Sequence, residues 1–177
     1  MNWEFDWLYA LQQIHNPVLD PIMVGLSALG NAGILWIIVS VLCLIKKETR
    51  RCGVQMIISM LVVLVIGNGI LKNLVCRQRP CWIDPTVTLL VKNPSDYSFP
   101  SGHSMNSFTA AVTIWFYHKK AGAAAIAVAT LIAFSRLYNF VHFPTDVFAG
   151  IAIGSIVAII VNYIMKLHKT KNGLRTN

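Results

Sequence analysis

The sequence predicts an all-α fold, an integral membrane helical bundle of about five transmembrane helices plus an N-terminal interfacial helix. Three observations lead there. Of the 177 residues 55% are hydrophobic and only 12% charged, too apolar for a water-facing surface. The stretches 22–45, 53–71 and 147–165 carry no charge and are each long enough to cross a bilayer. Most of the basic residues fall in alternate connections, the pattern that marks cytoplasmic loops. The length suits one membrane-embedded domain over 1–177.

Residues 1–15 form the first element. Trp3, Trp7, Leu11 and Ile14 recur at helical spacing with Leu8 beside them, while Glu4, Asp6, Gln12 and Gln13 lie elsewhere. This pattern reads as a helix lying in the outer interface, its tryptophans at headgroup depth. Glu4 and Asp6, with no basic region before them, set the segment apart from a signal peptide. Asn16-Pro17 ends it, and Asp20-Pro21 supplies a cap and first residue for the next helix. The spans then run near 22–45, 53–75, 101–118, 121–139 and 146–166, followed by a basic tail over 167–177. Gly25, Gly30 and Gly33 in the first span read as packing residues. The third and fourth spans reach membrane length only by including His103 and Arg136. An ionisable group at such a position is costly and marks either function or a side chain that snorkels to the interface.

The net charge of +8 invites a nucleic-acid reading, but its distribution points to a membrane surface instead. Lys46, Lys47, Arg50 and Arg51 cluster after the first span, Lys119 and Lys120 between the third and fourth, and Lys166, Lys169, Lys171 and Arg175 after the fifth. These ends, the C-terminus included, are read as cytoplasmic. The N-terminus, the 79–103 loop and the turn at His142 then face outward. Lys72, Arg77, Arg79, Lys92 and Arg136 are left unexplained by topology. Cys43 and Cys52 read as reduced thiols, and Cys76 and Cys81, close together on the outward side, are expected unpaired.

Several outward features carry chemistry. Lys72 and Arg79 are two helical turns apart and share a face if the helix persists to Pro80. The loop 81–99 is the one long connection outside the spans, a length typical of lids and binding loops. Pro100-Ser101-Gly102-His103 leads into a helix, whose N-terminal N–H groups favour anions. Lys72, Arg79, Ser101, His103, Arg136, His142 and Asp146 thus gather at the outward ends of four spans. Phosphoryl transfer needs these parts: donors for the equatorial oxygens, a nucleophile and an acid. His142 and Asp146 are four apart. In a helical turn, Asp146 accepts from one imidazole nitrogen and leaves the other to attack phosphorus. His103 remains as acid for the leaving oxygen and base for water. Two histidines and a carboxylate also suit a metal, but three nearby cations would repel one, so neither metal nor cofactor is expected.

Taken together, Lys72-(six residues)-Arg79-Pro80, Pro100-Ser101-Gly102-His103 and Ser135-Arg136-(five residues)-His142-(three residues)-Asp146 resemble the tripartite signature of the type-2 phosphatidic acid phosphatase superfamily. All three parts occur in order without a substitution. The resemblance implies a helical membrane bundle and a metal-independent phosphatase working through a phosphohistidine. It makes His142 the nucleophile, Asp146 its partner and His103 the acid, with Lys72, Arg79, Ser101, Gly102 and Arg136 as the phosphate cradle. Membrane members commonly have six spans, where this chain reads as five plus an interfacial helix. The expected substrate is a lipid phosphate or diphosphate: undecaprenyl diphosphate first, then phosphatidylglycerol phosphate or phosphatidic acid. The short chain, its basic tail and the lack of eukaryotic processing signals point to a bacterial cell membrane, with the site on the extracytoplasmic face. A transporter or channel for anionic lipid or phosphate, using the same cations, is the alternative; it has no need of the paired histidines.

Overall fold

Small and hydroxylated residues decide which helix stands in the middle. A computed structural model describes residues 3–174, with side chains as far as His168. Met1, Asn2, the side chains of Lys169 and Lys171, and Arg175 in the expected basic tail lie outside the described residues. Every regular element described is helical: α1 (Trp3–Gln12), α2 (Leu19–Leu29), α3 (Ile34–Ile45), α4 (Arg50–Val63), α5 (Lys72–Val75), α6 (Pro80–Ile83), α7 (Gly102–Tyr117), α8 (Lys119–Tyr138) and α9 (Pro144–Leu174). A 3₁₀ turn at Asn31–Gly33 separates α2 from α3, and a π-helical stretch at Leu64–Leu71 joins α4 to α5.

The central helix is α7, packed against α4, α8 and α9. Its Ser104, Ser107, Thr109 and Thr113 are fully buried, side chains small enough for neighbouring backbones to come close. Thr109 donates to the Gly154 carbonyl at 3.1 Å, and Trp36 Nε1 donates to Ser107 Oγ at 2.9 Å. Gln55 donates to the Ala158 carbonyl at 3.2 Å and accepts from Tyr117, tying α4 to α9 and α7. The outer surface is the reverse of a water-soluble protein's. Ile37, Ile38, Leu42, Leu61, Ile156 and Ile160 are exposed, as suits a lipid-facing wall. The chain is a membrane protein.

Three helical runs are long and apolar enough to cross a bilayer: Arg50–Ile83, Lys119–Tyr138 and Pro144–His168. A fourth is reached if α2 and the 31–45 segment, bent by 49°, count as one. The expected five are therefore not all present by length. The shortfall is α7, whose 16 residues rise only about 24 Å against a hydrocarbon core of about 30 Å. A helix sheathed by others does not meet lipid along its length and can be shorter and more polar. The span expected in one piece over 22–45 is broken because Gly33 takes φ +69°, a left-handed conformation that halts a right-handed helix. Gly33 is thus a turn residue as well as a packing one.

Two further expectations change. Lys72 and Arg79 do not share a helix face: α5 ends at Cys76, which is left-handed at φ 49°, and Arg79 is extended. On α1 the outer face is as expected, Trp3 and Trp7 being exposed, but Glu4 is buried with Leu8 on the inner face. Leu8 packs with Phe140, Val141 and Phe143 in the turn between α8 and α9, so α1 caps the bundle end. All four cysteines are free thiols; Cys76 Sγ meets the Asn73 carbonyl and Cys81 Sγ meets Asn93.

The α7–α9 crossing depends on one close approach. A Cβ on Gly154 would stand 2.3 Å from the Met105 carbonyl oxygen, and backbone on both sides leaves nothing flexible to yield. Gly154→Val is expected to cost about 3 kcal/mol or more, measured as a lower melting temperature in detergent. An unchanged melting temperature would contradict the crossing.

Candidate active site

At the end of the bundle where α7 starts and α8 stops lies a cavity of about 680 Å³. Six of the eight residues expected in the site line it: Lys72, Arg79, Gly102, His103, Arg136 and His142. They arrive from separate elements. Lys72 follows the π-helical stretch, a feature that often marks functional positions. Arg79 comes from the turn before α6, Gly102 and His103 open α7, Arg136 closes α8, and His142 sits in the turn before α9.

His142 is 1% exposed, and its two ring nitrogens have different partners. Arg79 Nη1 stands 3.1 Å from Nε2. A guanidinium only donates, so Nε2 must be the unprotonated nitrogen and Nδ1 carries the proton. Nδ1 faces Ser98 Oγ at 3.3 Å, and Ser98 in turn donates to Asp146 Oδ2 at 2.5 Å. The expected direct bond from His142 to Asp146 is absent: Nδ1 to Oδ2 is 3.7 Å, because residues 140–142 form turn and bend and the helix begins only at Pro144. Ser98 fills the gap. Burial first, then Arg79, Arg136 and Lys72, push the His142 imidazolium well below the ordinary histidine range, so the ring is neutral.

Asp96, from the long loop, sits among the cations. Arg79 Nη2 donates to its Oδ1 at 2.7 Å, and the Lys72 ammonium pairs with Oδ2. Lys72 and Arg79 therefore converge through a shared carboxylate and not through a helix face. Burial works against the charge on Asp96, but Lys72 and Arg79 outweigh it and hold the carboxyl at about 2. Arg79 also donates from Nε to the Asp96 carbonyl and from Nη1 to the Val141 carbonyl, both at 2.7 Å. Arg136 is 5% exposed; its Nη1 donates to Ser27 Oγ, while its Nε has no hydrogen-bond partner among the described residues. A buried donor left so costs about 1–3 kcal/mol, a deficit an anion in the cavity would remove.

Across the cavity, His103 Nε2 lies 3.0 Å from Asn31 Oδ1, in the break between α2 and α3. Ser101 departs from expectation. Its Oγ is turned away from the cavity and accepts from Ser104 N at 3.4 Å and Ser104 Oγ at 3.0 Å, capping α7. It aims the helix N-terminus without lining the site. Asp146 stands behind His142 and is fully buried.

Sequence reasoning missed Ser98, Asp96, Asn31, Glu4 and Arg77. Arg77 left a signal as an outward cation that topology did not explain, and Asp96 and Ser98 lie in the loop 81–99 whose length suggested a binding role. Its Nη1 donates to Asp146 Oδ1 at 2.6 Å and its Nη2 to Glu4 Oε2 at 2.6 Å.

A lipid-facing helical bundle with clustered cations, a neutral imidazole and a helix N-terminus around one cavity defines a membrane lipid phosphatase. The chain belongs to the PAP2 superfamily, whose family model matches residues 53–169. It is 38% identical over 144 residues to the undecaprenyl-diphosphatase of Sulfolobus acidocaldarius, covering 80% of this chain and 68% of that protein. The crystal structure of Aquifex aeolicus LpxE matches with a TM-score of 0.79 at 29% identity, covering 92% of this chain and 96% of the other. A transmembrane PAP2-type phosphatidylglycerolphosphate phosphatase from Bacillus subtilis matches with a TM-score of 0.75 at 28% identity, over 92% and 84% of the two chains.

The carboxylate of Asp96 occupies cations that a phosphate would use, so the two compete. Asp96→Asn is expected to tighten binding of inorganic phosphate at neutral pH, by about tenfold for a like charge removed at this range. Titration calorimetry of the purified protein reads it. Because the Asp96 carboxyl is held low, at about 2, its ion pairs persist from neutral pH down through the ordinary carboxylate range and are lost only as pH falls toward that value. The gain in the variant should therefore be present throughout pH 5–8. Weaker phosphate binding would mean that Asp96 does not stand in the anion's place.

Proposed function

We propose that this protein removes the terminal phosphate of a lipid phosphate or diphosphate, with undecaprenyl diphosphate as the first choice and phosphatidylglycerol phosphate or phosphatidic acid next. The reaction runs through a phosphohistidine at His142 without a metal. One observation carries the reading: the Arg79 guanidinium touches both Nε2 of His142 and the Asp96 carboxylate that it shares with Lys72. An attacking nitrogen and a seat for a tetrahedral anion thus share one residue. The identity to the undecaprenyl-diphosphatase supports the choice of lipid.

In the first step the Nε2 lone pair attacks the terminal phosphorus as the bond to the bridging oxygen breaks. Lys72, Arg79, Arg136 and the Gly102 N–H hold the equatorial oxygens, where charge concentrates in the transition state. Ser101 contributes by capping the helix that presents those N–H groups. His103, which takes up a proton when the substrate's phosphate charge enters the cavity, gives that proton to the leaving oxygen, which departs as the lipid monophosphate from a diphosphate or as the lipid alcohol from a monophosphate. His142 becomes cationic on phosphorylation, and the Ser98–Asp146 pair behind Nδ1 compensates that charge. In the second step His103 takes a proton from water, the oxygen attacks phosphorus, and the N–P bond breaks to release inorganic phosphate.

The membrane arrangement belongs to the same proposal. We read five crossings, with α7 the short central one, the site on the extracytoplasmic face and the basic connections in the cytoplasm. The lipid enters sideways from the bilayer so that its tail never leaves apolar surroundings. A transporter would have no use for the Ser98–Asp146 support behind His142.

Purified protein in detergent with EDTA, offered a panel of lipid mono- and diphosphates, tests the proposal. It is expected to release phosphate from all three lipids, fastest from undecaprenyl diphosphate, and His103→Ala is expected to slow release by about 10²–10⁴-fold, the usual range for loss of a general acid. No release from any lipid would overturn the enzymatic reading. A rate that needs an added metal would overturn the mechanism.

A further inference from the structure

Arg77 is used neither by the topology nor by the family signature, and it does not line the cavity. Yet its guanidinium is among the most engaged groups in the protein. Nη1 donates to Asp146 Oδ1 and to Thr145 Oγ1, both at 2.6 Å, and Nη2 donates to Glu4 Oε2 at 2.6 Å. Its carbon lies 4.2 Å above the centre of the Phe143 ring. Glu4 in turn accepts from Thr145 through Oε1, from the amide at 3.2 Å and the hydroxyl at 2.6 Å. Arg77 and Glu4 thus bracket the first turn of α9, where Asp146 stands.

The two oxygens of Asp146 divide the work. Oδ1 takes Arg77; Oδ2 takes the Ser98 hydroxyl at 2.5 Å and the Phe143 amide at 2.9 Å. A turn of the carboxylate plane would break both sets at once. The direction of Oδ2 decides where Ser98 points, and Ser98 is the group that meets Nδ1 of His142. We infer that Arg77, held by Glu4 of α1, is a positioning residue for the reaction: it fixes the Asp146 carboxylate, and through Ser98 the ring of His142. The N-terminal helix is then part of the support for the nucleophile and not only a membrane anchor. This rests on the reading that His142 attacks phosphorus.

A guanidinium suits the task because its planar fork serves two carboxylates in fixed directions, Glu4 on one arm and Asp146 on the other. Lysine would hold Asp146 as a point charge and lose the fork. The effect should fall on the chemical step, since Arg77 does not touch the phosphate.

The test compares wild type, Arg77→Ala, Arg77→Lys, Glu4→Gln and the double variant Glu4→Gln/Arg77→Ala on undecaprenyl diphosphate, alongside inorganic phosphate binding by each. Arg77→Ala is expected to lower kcat about a hundredfold, the size of effect that follows from misplacing a reacting group by about 1 Å. KM and phosphate affinity should stay within about twofold. Arg77→Lys should recover part of kcat, Glu4→Gln should lower it less, and the double variant should be no slower than Arg77→Ala, because the residues act in series. An unchanged kcat in Arg77→Ala, a phosphate affinity that falls with kcat, or lysine no better than alanine would overturn the inference. If Arg77→Ala does not fold, Arg77→Lys and Glu4→Gln decide: full kcat in both overturns it. A wild type that releases no phosphate would instead overturn the proposed function.

Discussion

The contact between Arg79 Nη1 and Nε2 of His142, at 3.1 Å, constrains more of this protein than any other. A donor-only group beside a ring nitrogen fixes the tautomer, and the tautomer fixes what must stand on the other side of the ring. There the fold supplies Ser98, and behind it Asp146. The remaining donors of Arg79 go to the carbonyls of Val141, Asp96 and Tyr97 and to the Asp96 carboxylate. One side chain therefore joins the turn before α9, the loop 84–101 and the cation cluster. It brings a neutral imidazole and a seat for an anion into contact.

Holding Lys72, Arg79 and Arg136 together at the end of a membrane bundle is costly, since each is 6% exposed or less and like charges repel. The fold offsets this with Asp96, with backbone carbonyls and with Ser27, and leaves Arg136 Nε unmatched. Such a cluster is poised for an anion. Burial, and after it the same cations, keep His142 neutral, which an attacking nitrogen requires. Cradle and nucleophile are thus coupled by electrostatics as well as by geometry.

Much of this was legible in the sequence, for identifiable reasons. Charge-free runs and alternating basic connections report helices and their ends directly, and six of the named site residues line one cavity. The span read near 101–118 is present as α7, but its 16 residues are too few to cross a bilayer alone, the sequence of a helix sheathed by others. Helical spacing could not foresee the left-handed Cys76 that turns Arg79 away from α5, or the left-handed Gly33 that splits the first span. Ser101 satisfied a signature position, yet its hydroxyl caps a helix. Ser98 and Glu4 gave no signal of their own, since a lone serine before an aromatic and a lone acid on the N-terminal helix carry no pattern. Their roles depend on contacts spanning 48 and 141 residues of chain.

The central claim is that Nε2 of His142 forms a bond to phosphorus. The most direct measurement is to quench the enzyme within a turnover of a lipid diphosphate labelled in its terminal phosphate, under alkaline conditions that preserve phosphoramidates, and to locate the label by peptide mass spectrometry. The account predicts stoichiometric, acid-labile phosphate on the peptide carrying His142, lost completely in His142→Ala. Label on His103, or turnover in wild type with no phosphoenzyme at any time, would contradict it.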